Sequence, residues 1–474
     1  MAGETIESHE ARTPTWARVA IALLAMPPAF VAVLQLGRIH PDEIFQMLQP
    51  AHHLAFGQGQ LSWEWHDGLR NWLVPGFFGQ CLKLAAALGI DDPQARRALL
   101  AFTQYVLYAL SLGALYRLVR RRLPASVAHA EHWSLAGVAL LALYAPALQL
   151  ACRTLSESVS AALLLWGFER LDVRPARPRV YVLAGALIGF AVIARYGSIV
   201  FAFAIMVYLL ATRRWRDARL VALGGALAAC VLGVLDFRMT GVPFSSLVAY
   251  FDFNVFSGKA GREFGQQPWW FLWSWAARAL PAWAWAALLV AAYRAIRHKT
   301  FAGPIALLGV PSLLYLVALS FPGLKEERFL YPVLVVLIAT TAPAWIAELS
   351  SLPRAVGASL LVLSLASTMA LLAFETRFQP RATEQFRLFV KGVQTGNGVV
   401  LTHSGYWGTP SDFFAAGKPW VLCGKPKDPC TRLALRNQRF DRIVTFEDEG
   451  AASLRKQGFA ILDEQGEYRL WGRD

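Results

Sequence analysis

Long apolar stretches alternate along this chain with short polar, mostly basic intervals. A membrane-crossing helix needs about 20 mainly apolar residues, fewer when tilted segments pair within a bundle. Runs of that kind lie at 17–36, 98–117, 133–150, 156–170, 220–235, 270–293, 302–320, 329–347 and 354–374. The run 180–211 is too long for one crossing, and Arg195-Tyr196-Gly197-Ser198 interrupts it midway. Basic residues bound it at both ends, so two short spans joined by a tight turn are expected there. The pattern predicts an α-helical polytopic membrane protein with about eleven transmembrane helices. From about residue 375 the period changes. Alternating segments at 398–402, 420–422 and 442–446 predict strands, and Thr383 to Val393 and Gly450 to Gln457 predict helices between them. A small α/β domain over 375–474 follows. Without a glycine-rich phosphate loop or a nucleophile elbow, its expected role is to support the rest or to contact an acceptor.

Composition agrees with the membrane reading. The chain is 56% hydrophobic and only 16% charged, with a mean hydropathy of +0.40, whereas soluble domains carry roughly 25% charged residues. Its net charge of +14 raises the question of nucleic acid, but the distribution argues against it. Basic residues bunch at Arg117 with Arg120 to Arg122, Arg174 to Arg179, Arg213 to Arg219 and Arg294 to Lys299, between apolar runs. Such clusters mark cytoplasmic loops. Residues 1–16 are then a cytoplasmic tail, and 17–374 form the membrane domain. The segments 37–97, 151–155, 195–197, 236–269 and 321–328 face outside, as does the C-terminal domain. The N-terminus opens on a polar, acidic stretch and lacks a small-residue cleavage site, so it does not read as a signal peptide. Cys81, Cys152 and Cys230 sit in apolar context. Cys423 and Cys430 flank a short polar loop and suit a disulfide or two free thiols better than a zinc site. The Ala-, Leu- and Arg-rich composition points to a bacterial inner membrane with a periplasmic outer face; a eukaryotic chain would place the same loops at the endoplasmic reticulum membrane.

The predicted outer segments hold most of the unusual polar chemistry. Directly after the first span comes His40-Pro41-Asp42-Glu43-Ile44-Phe45-Gln46. Adjacent carboxylates there suit either a helix cap at the positive end of a helix or a catalytic pair, with the two readings balanced. Trp63-Glu64-Trp65, then Arg70 and Pro75, tips the balance. Tryptophans are common at membrane interfaces, but an interfacial belt needs no glutamate between them; aromatic faces beside a carboxylate suit a sugar. Lys325-Glu326-Glu327-Arg328-Phe329 opens a late span. Cations placed outside run against the loop-charge trend, which favours a specific anion over simple snorkelling. Arg153 and Arg195 lie at outer span ends, where a structural role competes with anion binding. A fourth segment holds Asp236, Asn254, Gly258 and Phe264 to Trp269.

These motifs together resemble glycosyltransferase family 22, the mannosyltransferases that use dolichol-phosphate-mannose in GPI-anchor and N-glycan assembly. The first motif, with His52-His53, Gly59 to Trp65, Arg70 and Pro75, is similar to that family's first luminal loop. Lys325 to Pro332 is similar to its late motif, usually His-Lys-Glu-X-Arg-Phe, and Asn254 to Trp269 to its Asn-X-X-X-Gly…Tyr-Gly-X-His-Pro-Trp stretch. The likeness spans about 330 residues in the same order. Leu324 stands where the family has His, Phe264 where it has Tyr, and Gln267 where it has His. The resemblance implies a GT-C fold and an inverting transfer of mannose from a polyprenyl-phosphate donor to a glycan or glycolipid. It implies Asp42 as catalytic base, with His40, Glu43, Trp63, Glu64, Trp65 and Arg70 at the sugar or acceptor. It also implies Lys325 and Arg328 at the donor phosphate, with Arg195 and Arg153 as secondary candidates. No metal or other cofactor is expected, the lipid-linked sugar being a co-substrate. Competing readings are a GT-C transferase of another sugar, a transporter or flippase, and a membrane scaffold. A transporter would carry broken helices or charges at mid-membrane in matching halves, whereas these acids gather at loops.

Overall fold

The structure is a computed structural model and describes residues 13–34, 40–173, 176–298, 304–371, 380–403, 410–437 and 439–473. The chain divides into two compact units. One comprises Met1–Val31, Gly68–Leu73 and Phe102–Thr376; the other comprises Ala32–Asp67, Val74–Ala101 and Arg377–Asp474.

The first unit is a helical membrane bundle. Among the described residues, Thr15–Leu34, Pro93–Arg122, Trp215–Thr240 and Glu327–Ser351 are long and apolar enough to cross a membrane alone. Pro178–Ala194, Tyr196–Ala211, Leu307–Ala318 and Arg354–Ala370 are shorter apolar helices. The break at Arg195 falls where the sequence interruption places it, with a single tight turn at Tyr196–Ser198. Two expected spans are broken. Phe271–Ala279 and Ala282–Tyr293 meet at 102°, because Pro281 forces Leu280 out of helical geometry to ψ 128°. The run 133–150 divides into Ala130–Ala142 and Ala145–Leu150. Pro146 lies in the first turn of the second piece, and the N-cap residue Tyr144 is extended.

The helix Tyr331–Ser351 runs through the middle of this unit, with Val333, Val336, Ile338 and Ala339 fully buried on all sides. A helix apolar all round belongs in such a position. By contrast Leu223, Leu227 and Val234 on Trp215–Thr240 are more than half exposed, forming an apolar face suited to lipid. The opposite face of that helix meets Pro178–Ala194 through small residues. A Cβ on Gly185 would fall 2.0 Å from the Val221 carbonyl oxygen, and one on Gly224 would fall 2.0 Å from that of Val182. Only glycine lets the two backbones approach so closely.

The second unit contains the segment after the first span and the C-terminal domain. Its described residues 40–67 and 74–101 are largely helical, with Gln49–Phe56, Trp63–His66 and most of Leu73–Ala87. The C-terminal domain carries β1 (Val399–Thr402), β2 (Trp420–Cys423), β3 (Arg442–Phe446), β4 (Ala460–Gln465) and β5 (Tyr468–Gly472), ordered β2-β1-β3-β5-β4. β1 pairs in parallel with β2 and β3, while β5 runs antiparallel to β3 and β4. Val400, Ile443, Leu435, Leu454, Phe459 and Trp471 form its core. The indole N–H of Trp471 donates to Thr445 Oγ1 at 2.9 Å, which satisfies a polar atom inside that core. Cys423 and Cys430 are joined in a disulfide.

The glycine contact between Pro178–Ala194 and Trp215–Thr240 makes a prediction. Gly185→Val should destabilise the protein by at least about 2 kcal/mol through overpacking. Gly225→Ala, whose Cβ would meet nothing closer than the Gly185 oxygen at 4.0 Å, should stay within about 0.5 kcal/mol of the parent. Thermal unfolding of the detergent-solubilised variants, followed by size-exclusion fluorescence, checks both.

Candidate active site

Two polar constellations stand out, one in each unit. In the second unit the chain leaves Pro41 and enters a wide, π-helical turn over Glu43–Leu48, which continues into Gln49–Phe56. Pro50 explains the widening. It has no N–H to offer the carbonyl of Gln46, and its ring would crowd that carbonyl in a regular α-turn. The Gln49 N–H instead bonds the carbonyl of Ile44, five residues back. Such π-turns recur at functional sites.

Glu43 caps the start of this helix. Its Oε1 accepts the backbone N–H of His40 at 3.1 Å, while its own N–H donates to the His40 carbonyl at 2.9 Å. The carboxylate thus does what the glutamate of a capping box does, while the return bond runs to the His40 backbone carbonyl and not to its side chain. Asp42 makes no side-chain cap bond to this helix, so capping falls to its neighbour. The Asp42 N–H donates to His40 Nδ1 at 3.1 Å, which assigns the proton of a neutral His40 to Nε2. His40, Asp42 and Glu43 are all less than a tenth exposed.

Trp63-Glu64-Trp65 forms one helical turn, started by an extended Ser62. The Trp65 indole N–H donates to the Phe45 carbonyl at 2.9 Å, and Gln46 Nε2 donates to Glu64 Oε1 at 3.4 Å. The turn is thereby fastened to the π-helix. Trp63 and Glu64 remain partly exposed, while Trp65 is packed inside. Further along the helix, burial holds the His52 imidazole below its usual pKa, against smaller opposing effects of the Gln58 carbonyl and Asp412.

In the first unit the centre is a residue sequence reasoning passed over. Glu157, in the first turn of Ser156–Asp172, has no exposed surface. Its Oε1 accepts Arg195 Nη1 at 2.8 Å and Arg328 Nη1 at 3.0 Å. Ser156 Oγ donates to its Oε2 at 2.9 Å. Arg328 Nε also donates to Glu326 Oε2 at 2.6 Å. Both guanidinium groups lie over the ring of Phe329, at 4.7 and 5.3 Å from its centroid. The buried Nε of Arg195 has no hydrogen-bond partner among the described residues. The signal for Glu157 was available: a lone glutamate heading an apolar span, four residues after Arg153.

Arg153 is almost fully buried, and its Nε donates to the Gln149 carbonyl at 3.2 Å. Lys325 is not hydrogen-bonded to the Glu157 cluster. Its Nζ donates to the carbonyls of Gln267, at 3.1 Å, and Pro322. Together with the Gln267 N–H on the Gly323 carbonyl at 3.0 Å, this fastens the segment 236–269 to the segment 321–328. Burial holds the Lys325 amine below its usual pKa. Asp236 is buried and accepts both the N–H and the hydroxyl of Ser246, at 3.0 and 2.6 Å. The Ser246 hydroxyl meets that of Tyr196, which also accepts Asn71 Nδ2 at 3.0 Å. The turn after Arg195 is thus held by a chain of polar contacts. Arg70 lies in this unit, next to Asn71.

A family model described as the Alg9-like mannosyltransferase family matches residues 19–398. GPI mannosyltransferase 3 of Yarrowia lipolytica is 29% identical over 312 residues, 64% of this chain and 58% of that protein. The Eremothecium gossypii protein of the same name is 24% identical, over 86% of this chain and 80% of its own. The human GPI alpha-1,2-mannosyltransferase 3 is 35% identical over 81 residues, 17% of this chain and 15% of that protein. The matches to the Yarrowia and human relatives therefore span less than two thirds of those proteins. Among solved structures, ArnT from Cupriavidus metallidurans bound to undecaprenyl phosphate superposes with a TM-score of 0.62 at 15% identity, covering 96% of this chain and 97% of that one. The apo oligosaccharyltransferase of Archaeoglobus fulgidus gives 0.54 at 12% identity, covering 91% and 70%. With the family model spanning most of its length and the GT-C membrane fold in common with these enzymes, this chain belongs to the Alg9-like mannosyltransferase family.

Proposed function

We propose that this chain is an inverting mannosyltransferase of the membrane, with a polyprenyl-phosphate-linked mannose as donor and a hydroxyl of a glycan or glycolipid as acceptor. The observation that carries this reading is the buried pair Arg195 and Arg328 on the single carboxylate of Glu157. Two forked guanidinium groups held rigidly away from water suit a phosphate better than any neutral ligand. The Nε of Arg195 adds a buried donor that no described residue satisfies. The GPI mannosyltransferase relatives support mannose as the sugar, and the undecaprenyl phosphate bound to ArnT supports a polyprenyl phosphate as its carrier.

In this reading the acceptor hydroxyl gives its proton to the Asp42 carboxylate. Its oxygen attacks the anomeric carbon from the face opposite the phosphate, and the bond from that carbon to the phosphate oxygen breaks. The electron pair leaves with the polyprenyl phosphate, whose added charge Arg195 and Arg328 stabilise. A phosphate leaves without prior protonation, so one base is sufficient. Glu43 serves this step indirectly, since it caps the helix that Asp42 heads. Lys325, bonded to two carbonyls, acts by fixing the loops around the site and supplies its remaining N–H direction to the donor.

Three measurements test these roles, using labelled mannose transferred from undecaprenyl-phosphate-mannose into a membrane lipid extract and mass spectrometry of the product. Asp42→Asn should cut transfer by at least about 10²-fold while eluting as the parent does; full activity would remove the base. Arg195→Lys keeps the charge but loses the fork, and should raise the donor concentration needed for half-maximal rate by about tenfold. Lys325→Met should change that concentration less than Arg195→Lys does; a larger effect would make the amine the principal phosphate ligand.

A further inference from the structure

The helix that carries Asp42 does not end in solvent. Gln49, at the junction of the π-turn and Gln49–Phe56, is buried, and its side-chain amide is engaged at both ends by the C-terminal domain. Its Nε2 donates to Asp412 Oδ2 at 2.7 Å, and its Oε1 accepts the backbone N–H of Phe413 at 3.4 Å. The other carboxylate oxygen, Asp412 Oδ1, accepts the indole N–H of Trp420 on β2 at 3.1 Å. A hydrogen-bonded path therefore runs from the sheet, through Asp412 and Gln49, to the π-turn whose first residue follows Asp42. Gln49 is also the residue whose N–H closes that wide turn on Ile44.

The neighbourhood is built around this pair. Gly59 sits at φ +103°, and a Cβ there would lie 2.2 Å from Gln49 Nε2 and 3.1 Å from Asp412 Oδ2. Any side chain at 59 would wedge the contact open. His53 Nδ1 meets the Gly59 carbonyl at 3.0 Å, and His52 Nδ1 meets that of Gln58 at 3.3 Å. These contacts hold the 57–59 turn against the helix end. The ring of His52 lies edge-on to the buried ring of Phe413, with centroids 6.3 Å apart. One polar and one aromatic contact thus define both the rotation and the axial position of the helix.

We propose that the C-terminal domain is a positioning domain, and that Gln49 and Asp412 are the positioning residues through which it sets the Asp42 carboxylate. This rests on the assignment of Asp42 as base. A displacement of about 1 Å at a reacting group costs up to about 10²-fold in rate, and a buried amide–carboxylate contact is a directional means of preventing it. The donor phosphate does not enter this contact, so the signature is a slower turnover at saturating donor with an unchanged half-saturating donor concentration.

The bonding pattern permits a test by exchange. Gln49→Glu places two carboxylates together and should lower the rate at saturating undecaprenyl-phosphate-mannose by about tenfold or more. Adding Asp412→Asn reverses donor and acceptor. The new amide at 412 can donate to the new carboxylate at 49 and still accept Trp420, while the Phe413 N–H keeps its acceptor. The double variant should recover to within about threefold of the parent. Asp412→Asn alone, with one acceptor left for two N–H donors, should show the same signature more mildly, so the test does not depend on Gln49→Glu folding. Parental rates in the folded single variants, or a double variant no faster than Gln49→Glu, would overturn the coupling. Asp42→Asn assayed beside them keeps the 49–412 contact intact. Retained transfer there would overturn the base assignment, whereas a parental rate in Gln49→Glu overturns only the coupling.

Discussion

A carboxylate with no access to water organises the first unit of this protein. Glu157 is wholly buried at the head of its helix and holds two arginines drawn from far apart in the chain, Arg195 and Arg328. Burying such a group is costly, and ion pairing inside a protein recovers that cost only with good geometry and satisfied hydrogen bonds. Ser156 on the second oxygen, Glu326 on Arg328 and the face of Phe329 supply much of what is needed. The arrangement adds little to stability in the balance. What it yields is two guanidinium groups held at fixed positions, the preorganisation that the proposed stabilisation of a departing phosphate calls for.

The surrounding bundle serves that requirement. Arg195 lies where two short helices meet, Arg328 just ahead of the most deeply buried helix, and Glu157 at the start of a third. Helices that pack through Gly185 and Gly224 leave no room to shift. The chain from Asp236 through Ser246 and Tyr196 to Asn71 holds the turn next to Arg195. In the other unit, the capping carboxylate of Glu43 and the amide of Gln49 perform the same service for the π-turn headed by Asp42. Rigidity at both constellations comes from neighbours that have no chemistry of their own.

Much of this was legible in the sequence where it depended on local order. Apolar runs located most of the helices, and the polar interruption at Arg195 located the turn within 180–211. The first motif offered Asp42 and Glu43 together; the bond from the His40 N–H to Glu43 is a detail that only the structure adds. Features that depend on distant partners were not legible. Glu157 has no periodic signature, and its partners lie 38 and 171 residues away by position. Gln49 and Asp412 are separated by 363 residues, so no window along the chain contains both. The β4–β5 hairpin was missed because Asp463, Glu464 and Gln465 make β4 an unusually polar strand with an alternating exposed face. The kink at Pro281 and the break before Pro146 were missed because hydropathy remains high across both.

The central claim is that the buried arginine pair is the seat of the donor phosphate. A structure of the full chain with undecaprenyl phosphate bound tests it most directly. The account predicts phosphate oxygens within about 3 Å of the Arg195 and Arg328 guanidinium groups, with Glu157 still bridging the two. A phosphate bound elsewhere, with both arginines unchanged around Glu157, would contradict it.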